Sequence, residues 1–249
     1  MAEAMTEQQL MAQERRNTGT AWTNNKDFDK NGYFVVKDLW DPEELYHPLP
    51  ELRGQLNYYD KDPTNFNHNP LETQVEGSCA RYYHPQYRQI HSGVRKKLEK
   101  IIGRKLYNTY YYDRYYFPGQ ELTKHADRDA CEIYVSIHIS TNLPDDLKYW
   151  EFKIKTHDTY TDKTNESILV PGEARALVLN PGDGILYRGC DRPHWRDAMP
   201  GDTKEVLAKK KKKIFGKKDL PEEYYYHQIF FHYVLQDGQR AHCAWDKAR

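Results

Sequence analysis

Residues 132–140 alternate without a break: Ile133, Val135, Ile137 and Ile139 fall on one side, and Glu132, Tyr134, Ser136 and His138 on the other. Successive side chains of an extended chain point to opposite faces, so this period of two specifies a strand. Further strand-like runs cover residues 107–112, 150–155, 175–179, 184–187 and 228–235, separated by turn residues such as Pro181-Gly182-Asp183-Gly184. Many short strands divided by Gly, Pro and Asp turns specify a β-sandwich or barrel. Helical signals come earlier. Asp41-Pro42-Glu43-Glu44-Leu45 has a cap residue, a first-turn proline and first-turn acids. Val94, Leu98, Ile101 and Ile102 follow at helical spacing within 91–102, and Gly103 ends that run. An Asn31-Gly32 turn leads into a strand-like Tyr33-Phe34-Val35-Val36-Lys37. With helices mostly before strands, the chain reads as α+β with a β-sandwich core.

A length of 249 residues fits a single domain. Residues 1–25 read as a flexible polar tail, and 26–249 as one domain. Residues 56–80, rich in Asn, Asp and Pro, read as loop. Residues 201–223 read as an insertion that holds an unbroken lysine run at 209–213. Like charges repel, so this segment is expected to be solvated, and its place between strands suits a lid. The formal net charge is zero, which gives no global attraction to nucleic acid or to a membrane surface. No apolar stretch reaches the length of a membrane span or resembles a signal peptide. Cys79, Cys131, Cys190 and Cys243 lack the spacing of a zinc ribbon or a disulfide scaffold, so a reducing, cytoplasmic setting is expected. The 21 tyrosines pack as large apolar groups with one polar end, which enlarges the core available to a chain with only 38% hydrophobic residues.

Chemistry concentrates at His125-Ala126-Asp127 and at the distant His194. On an extended segment, residues two apart share a face, so His125 and Asp127 can reach one ion. A turn over 188–193 can return His194 to them. Two imidazoles and one carboxylate form the facial set of mononuclear non-haem Fe(II) sites, with three positions left open. Zinc is a rival ion, and a surface His and Asp in a turn is the plain alternative.

The block Tyr116-Phe117-Pro118-Gly119-Gln120-Glu121-Leu122-Thr123-Lys124-His125-Ala126-Asp127 resembles that of the 2-oxoglutarate/Fe(II)-dependent dioxygenases of the prolyl 4-hydroxylase kind. Gly32-Tyr33-Phe34-Val35-Val36-Lys37 and Asn180-Pro181-Gly182-Asp183-Gly184-Ile185-Leu186-Tyr187 are similar to their first and later strands. Pro193-His194-Trp195-Arg196 and Phe231-His232-Tyr233-Val234 look most like the viral and marine-microbial branch. The resemblance spans residues 26–237. It implies a double-stranded β-helix, or jelly roll, with N-terminal helices packed on one sheet. It implies Fe(II) held by His125, Asp127 and His194, with 2-oxoglutarate and O2 as cosubstrates and ascorbate as accessory reductant. The substrate it favours is a proline-containing peptide or protein, in the host cytoplasm if the chain is viral. A free amino acid, a small metabolite or a nucleobase would leave the same signature.

The second carboxylate of 2-oxoglutarate needs a cation or strong donor, because an unmatched buried charge is costly. The family's Lys or Arg follows the distal His by nine or ten positions, which here falls in the insertion near Lys204. Arg196 is the first candidate by its nearness to His194; the alternative is a surface arginine paired with Asp197. His138 faces inward by alternation, where relatives carry a Tyr touching the same carboxylate, or else it is a hydrogen-bonded core histidine. Tyr116 matches the tyrosine lining the cosubstrate pocket, or packs as a core aromatic. Trp195 reads as a shield beside the metal, and His227, His232 and His242 read as satisfied histidines without a ligand role. Two other classes remain open: a cupin-type zinc or manganese enzyme, and a non-catalytic jelly-roll binding module.

Overall fold

The computed structural model describes residues 23–47, 74–75, 77–156, 158–163, 166–203, 206–207 and 223–246. The expectations for the tail up to residue 22, for most of the loop at 56–80 and for the lysine run at 209–213 lie outside them. Thr23 belongs to the fold: its backbone and hydroxyl donate to the Asp29 carboxylate at 3.1 and 2.9 Å.

Three helices precede the main strands. α1 (Lys26–Asn31) is one the sequence reading did not anticipate; Asn25 caps it by accepting from the Phe28 N–H at 2.9 Å. α2 (Pro42–Leu45) starts as expected, with the Asp41 carboxylate accepting from the Glu43 N–H at 2.9 Å. α3 (Tyr87–Ile102) begins four residues before its expected start. It ends at Gly103, whose φ of +67° is left-handed and whose N–H donates to Glu99 O at 2.9 Å.

Strands β1 (Tyr33–Val36), β2 (Cys79–Tyr82), β3 (Leu106–Tyr116), β4 (Leu122–His125), β5 (Ile133–Thr141) and β6 (Phe152–Lys155) are followed by a hairpin, β7 (Thr159–Lys163) and β8 (Glu166–Val170). β9 (Ala174–Leu177), β10 (Gly184–Tyr187), β11 (His194–Arg196) and β12 (Tyr226–Leu235) complete the set. The larger sheet runs β1-β10-β5-β12-β3-β2 and the smaller β4-β11-β6-β9, with every neighbour antiparallel. From β3 onward the chain crosses from sheet to sheet. β3, β5, β10 and β12 lie in the larger sheet, and β4, β6, β9 and β11 in the smaller. Eight strands shared four and four in this order make a jelly roll. β2 is a correction to the reading of 56–80 as loop, and the β7–β8 hairpin was not foreseen.

The larger sheet is covered on both sides. Ile133, Val135, Ile137 and Ile139 of β5 meet Phe28, Leu45, Tyr87, Val94, Leu98 and Ile102 of the helices. Tyr134, on the opposite face of β5, joins Tyr112, Tyr116, Trp150, Phe152, Tyr187 and Phe230 between the sheets. Two polar members of β5 are buried with it, Ser136 and His138, at 0% and 2% exposure; His138 Nδ1 is satisfied by Leu179 O, whereas Ser136 Oγ and His138 Nε2 have no hydrogen-bond partner. No helix among the described residues is long and apolar enough to cross a membrane.

Candidate metal centre

β4 and β11 lie side by side in the smaller sheet, and their register sets His125 directly opposite His194. A turn over residues 188–193, after β10, brings His194 back, so the long separation in sequence closes into one cross-strand pair. β4 ends at His125. Asp127 is therefore positioned by a different device from the continuous strand expected: its N–H donates to Gly189 O at 2.9 Å. Gly189 leaves the space for its carboxylate, since a Cβ there would stand 2.5 Å from Cys131 O and 2.7 Å from Asp127 Oδ2.

One ligand atom from each of His125, Asp127 and His194 lies within 4.8 Å of the other two. His125 Nε2 is 3.4 Å from Asp127 Oδ1, and His194 Nε2 is 3.6 Å from Asp127 Oδ2. Both imidazoles are oriented from behind. His125 Nδ1–H donates to Thr123 O at 2.7 Å, and His194 Nδ1–H to Arg192 O at 2.9 Å. A proton held on Nδ1 leaves the Nε2 lone pair for an ion, the arrangement metal-binding histidines use. Burial pushes the His194 imidazole below its ordinary pKa, which keeps it neutral. For Asp127 burial pushes the other way, but His194, His125 and His232 together outweigh it and hold the carboxyl below its usual range. For His125 burial lowers the pKa, and the Asp127 carboxylate and Thr123 carbonyl more than reverse it. Asp127 Oδ2 is buried with no hydrogen-bond partner. A buried lone pair facing two imidazoles is the unfinished arrangement a divalent cation completes, so the donor set fits the facial triad.

The three residues expected to bind cosubstrate come together between the sheets. Arg196 lies two residues beyond His194 on the same face of β11 and is 1% exposed. Its Nη1 donates to Trp150 O at 2.9 Å and its Nη2 to Gln228 Oε1 at 3.0 Å. The guanidinium also stands 4.4 Å from the Trp150 ring and 4.7 Å from the Tyr226 ring. The surface pairing with Asp197 does not form, because Asp197 takes Lys153 instead. Among the described residues no carboxylate pairs with Arg196, and its Nε has no hydrogen-bond partner. His138 stacks on Tyr226 at 4.1 Å, and its Nδ1–H donates to Leu179 O at 2.8 Å. Its Nε2 and the amide nitrogen of Gln228 lack partners. Burial first, then the Arg196 charge, pushes His138 down to about 4 against its carbonyl bonds, so it is neutral. Tyr116 meets Trp150 edge-on at 5.1 Å and accepts from Arg114 Nη1 at 3.2 Å. Lys204 lies outside the described residues.

Three expectations about other aromatics and histidines resolve by face. Trp195 is half-buried on the opposite side of β11 from His194, beneath the Lys124 ammonium at 4.7 Å, so it does not cover the metal ligands. His232 faces the interior, where its Nδ1–H donates to Tyr110 O at 3.1 Å. His227 faces the helices, 2.7 Å from the Asp113 carboxylate. Sequence reading missed Gly189, Gln228 and Arg114. Alternation along β3 carried a signal for Arg114, which shares a face with Tyr112 and Tyr116.

No protein-family model matches the chain, and no curated protein does. Solved structures do resemble it. A Pseudomonas putida prolyl-4-hydroxylase is 11% identical, with 86% of this chain and 98% of that chain covered and a TM-score of 0.47. A Trichoplax adhaerens prolyl hydroxylase in complex with a hypoxia inducible factor peptide fragment is 11% identical over 92% and 94%, with a TM-score of 0.46. HygX from Streptomyces hygroscopicus, with nickel and 2-oxoglutarate bound, is 10% identical over 92% and 87%, again at 0.46. At TM-scores below 0.5 these likenesses carry no inference about activity. What the chain's own strands and side chains define is a jelly roll with a two-histidine, one-carboxylate centre.

Proposed function

We propose that this chain is an Fe(II)- and 2-oxoglutarate-dependent oxygenase that hydroxylates a C–H bond, with a peptidyl proline as substrate. The observation that carries the reading is the convergence of His125, Asp127 and His194 within 4.8 Å, beside a buried guanidinium that pairs with no described carboxylate. A ferrous ion bound there with 2-oxoglutarate supplies oxidative decarboxylation of the keto acid coupled to insertion of one oxygen atom into the substrate.

The chain's residues divide the remaining work. His125, Asp127 and His194 would hold the ion and leave positions open for exchangeable ligands. Arg196 offers a forked donor to the distal carboxylate of the keto acid, which resolves the cost of a buried, unmatched cation. Gln228 and Tyr116 line the same space, and neutral His138 presents its Nε2 to it. Trp150, Phe152 and Tyr226 exclude water, which strengthens every electrostatic contact inside. Outward from the metal ligands runs an aromatic wall. Tyr134 stands 6.1 Å from His194 and 4.3 Å from His232. His232 stacks on Tyr110 at 4.0 Å, and Tyr112 stacks on half-buried Tyr82 at 4.6 Å. Tyr134, His232, Tyr110 and Tyr112 are buried, so the part of this wall that reaches solvent is Tyr82, and an extended, proline-containing peptide would dock there.

The test supplies Fe(II), 2-oxoglutarate and oxygen to the purified protein, with ascorbate, and a panel of proline-rich peptides. The reading expects succinate release that requires all three components, and a peptide heavier by one oxygen atom. Succinate without a modified peptide would retain the chemistry and reject the substrate; no succinate under any condition would reject the chemistry.

A further inference from the structure

Asp127 lies beyond the end of β4, and the residues after it enter a short 3-10 turn, Asp129–Cys131. This turn belongs to neither sheet. Its charged side chains reach instead to the C-terminal segment Gln239–Asp246, a 3-10 stretch broken at Ala244 and Trp245. Arg128 Nη1 donates to Asp246 Oδ1 at 2.7 Å. Arg240 Nε donates to Asp129 Oδ1 at 2.8 Å, and Arg240 Nη1 stands 3.7 Å from Glu132 Oε1. Arg128 and Asp129 are the residues directly after the metal ligand, so both ties act at the base of the Asp127 side chain.

The C-terminal segment has anchors of its own. Cys243 is 1% exposed and packs in the core between the sheets. The Asp246 carboxylate is buried and also accepts from the Tyr83 O–H at 3.3 Å. Trp245 and Asp246 are both left-handed, with φ of +60° and +54°. Residues with a Cβ rarely adopt that conformation, and it persists where the surroundings impose it. Here the buried carboxylate imposes it, because leaving Arg128 would strand its charge away from water. The Arg128 guanidinium is held in turn over the Tyr110 ring at 4.5 Å.

We propose that the C-terminal segment is a strap that positions Asp127: the Asp246–Arg128 ion pair, with Arg240–Asp129 as a second tie, fixes the turn that carries the carboxylate against Gly189. Asp246 is a positioning residue that acts through Arg128. The inference rests on the metal-centre reading above. With a tie cut, the turn gains freedom that Asp127 must give up again to join His125 and His194 on one ion, so metal affinity falls.

Calorimetric titration of the full chain with Mn(II), without 2-oxoglutarate, compares wild type with Asp246→Ala, Asp246→Asn and Arg240→Met. Asp246→Ala is expected to bind about ten-fold more weakly, the low end for losing a group that orients a metal ligand. Asp246→Asn keeps an oxygen acceptor and tolerates a left-handed backbone, so it should recover part of that loss. Arg240→Met cuts the tie between the more exposed partners and should weaken binding about three-fold. Asp113→Asn breaks an ion pair on the helix-facing side of the larger sheet and measures what lost stability does by itself; it is expected to keep wild-type affinity. A second readout is the visible absorption of bound Co(II), which follows the geometry of the ligands. It should change in Asp246→Ala and match wild type in Asp113→Asn. Wild-type affinity in both Asp246→Ala and Arg240→Met overturns the strap, and so does an equal loss in Asp113→Asn. Should Asp246→Ala not fold, Arg240→Met decides by the same criterion. If wild type takes up no metal, the metal-centre reading falls and the strap with it; if wild type binds and the variants match it, only the strap falls.

Discussion

Replacing Arg196 by Met separates a structural from a ligand-binding role. The substitution keeps the apolar stem against Trp150, Phe152 and Tyr226 and removes the charge. It loses two hydrogen bonds, to Trp150 O at 2.9 Å and Gln228 Oε1 at 3.0 Å, each about 1.5–3 kcal/mol for a charged donor. Against this stands the desolvation of a guanidinium that is 1% exposed, several kcal/mol for a buried ion. The two effects nearly cancel, so folding stability should shift by no more than about 2 kcal/mol. Cosubstrate binding has no such offset. Losing one side of a buried, hydrogen-bonded charge pair weakens binding by about 2–5 kcal/mol, and 3 kcal/mol corresponds to about 150-fold. Calorimetry of 2-oxoglutarate binding to the Mn(II)-loaded protein measures this, with Mn(II) affinity alone as control. A 2-oxoglutarate affinity within about three-fold of wild type, with intact metal binding, would refute the assignment of Arg196 and turn attention to Arg114. Arg196→Lys keeps the charge but loses the fork, and should fall between the two.

Three more outcomes follow from the structure. His91, His138 and His232 are pushed by burial to about 3, 4 and 3, so each stays neutral in the folded chain and takes up a proton on unfolding. Their contribution is whole above pH 6.5 and fades as pH falls below it. Together they remove about 6 kcal/mol by pH 5, so denaturant midpoints should drop steeply between pH 6.5 and 5, and a flat profile contradicts the burial argument. Asp113 on the helix-facing side is paired with Arg81, which is 1% exposed, and also accepts from Tyr87 and His227. Asp113→Asn should destabilise the fold by about 3–5 kcal/mol by leaving the guanidinium uncompensated, read as a lowered melting temperature. Gly189→Ala drives a methyl group into Asp127 Oδ2 and Cys131 O, and should weaken Mn(II) binding by about ten- to a hundred-fold while the fold persists.

Legibility in the sequence followed periodicity and local chemistry. β5 was readable because its alternation is strict, and α2 because Asp41 and Pro42 carry helix-start chemistry. β3 was only partly readable: tyrosines stand on both its faces, at 110, 112 and 116 inside and at 111 and 115 outside, so hydropathy has no period there. α1 is too short to show a helical stripe, and β2 lies beside a polar stretch that masks it. At the centre, His125 and Asp127 were legible as neighbours in sequence. The closure by His194 depends on the β4–β11 register, a long-range property that only strand order could suggest. Arg196 was singled out by its nearness to His194 alone; that the two share a face of β11 became visible only in the structure. Gly189 acts through space alone, by lacking a side chain, and nothing local marks it.

The account stands on His125, Asp127 and His194 sharing one ferrous ion that still accepts a chelating keto acid. Anaerobic titration of Fe(II) into the protein, followed by 2-oxoglutarate and read by visible charge-transfer absorption, addresses both halves together. One ion per chain, with an absorption band that grows on adding the keto acid and is lost in Asp127→Ala and in His194→Ala, is the predicted result. A protein that takes up no iron, or whose band survives both substitutions, contradicts the assignment.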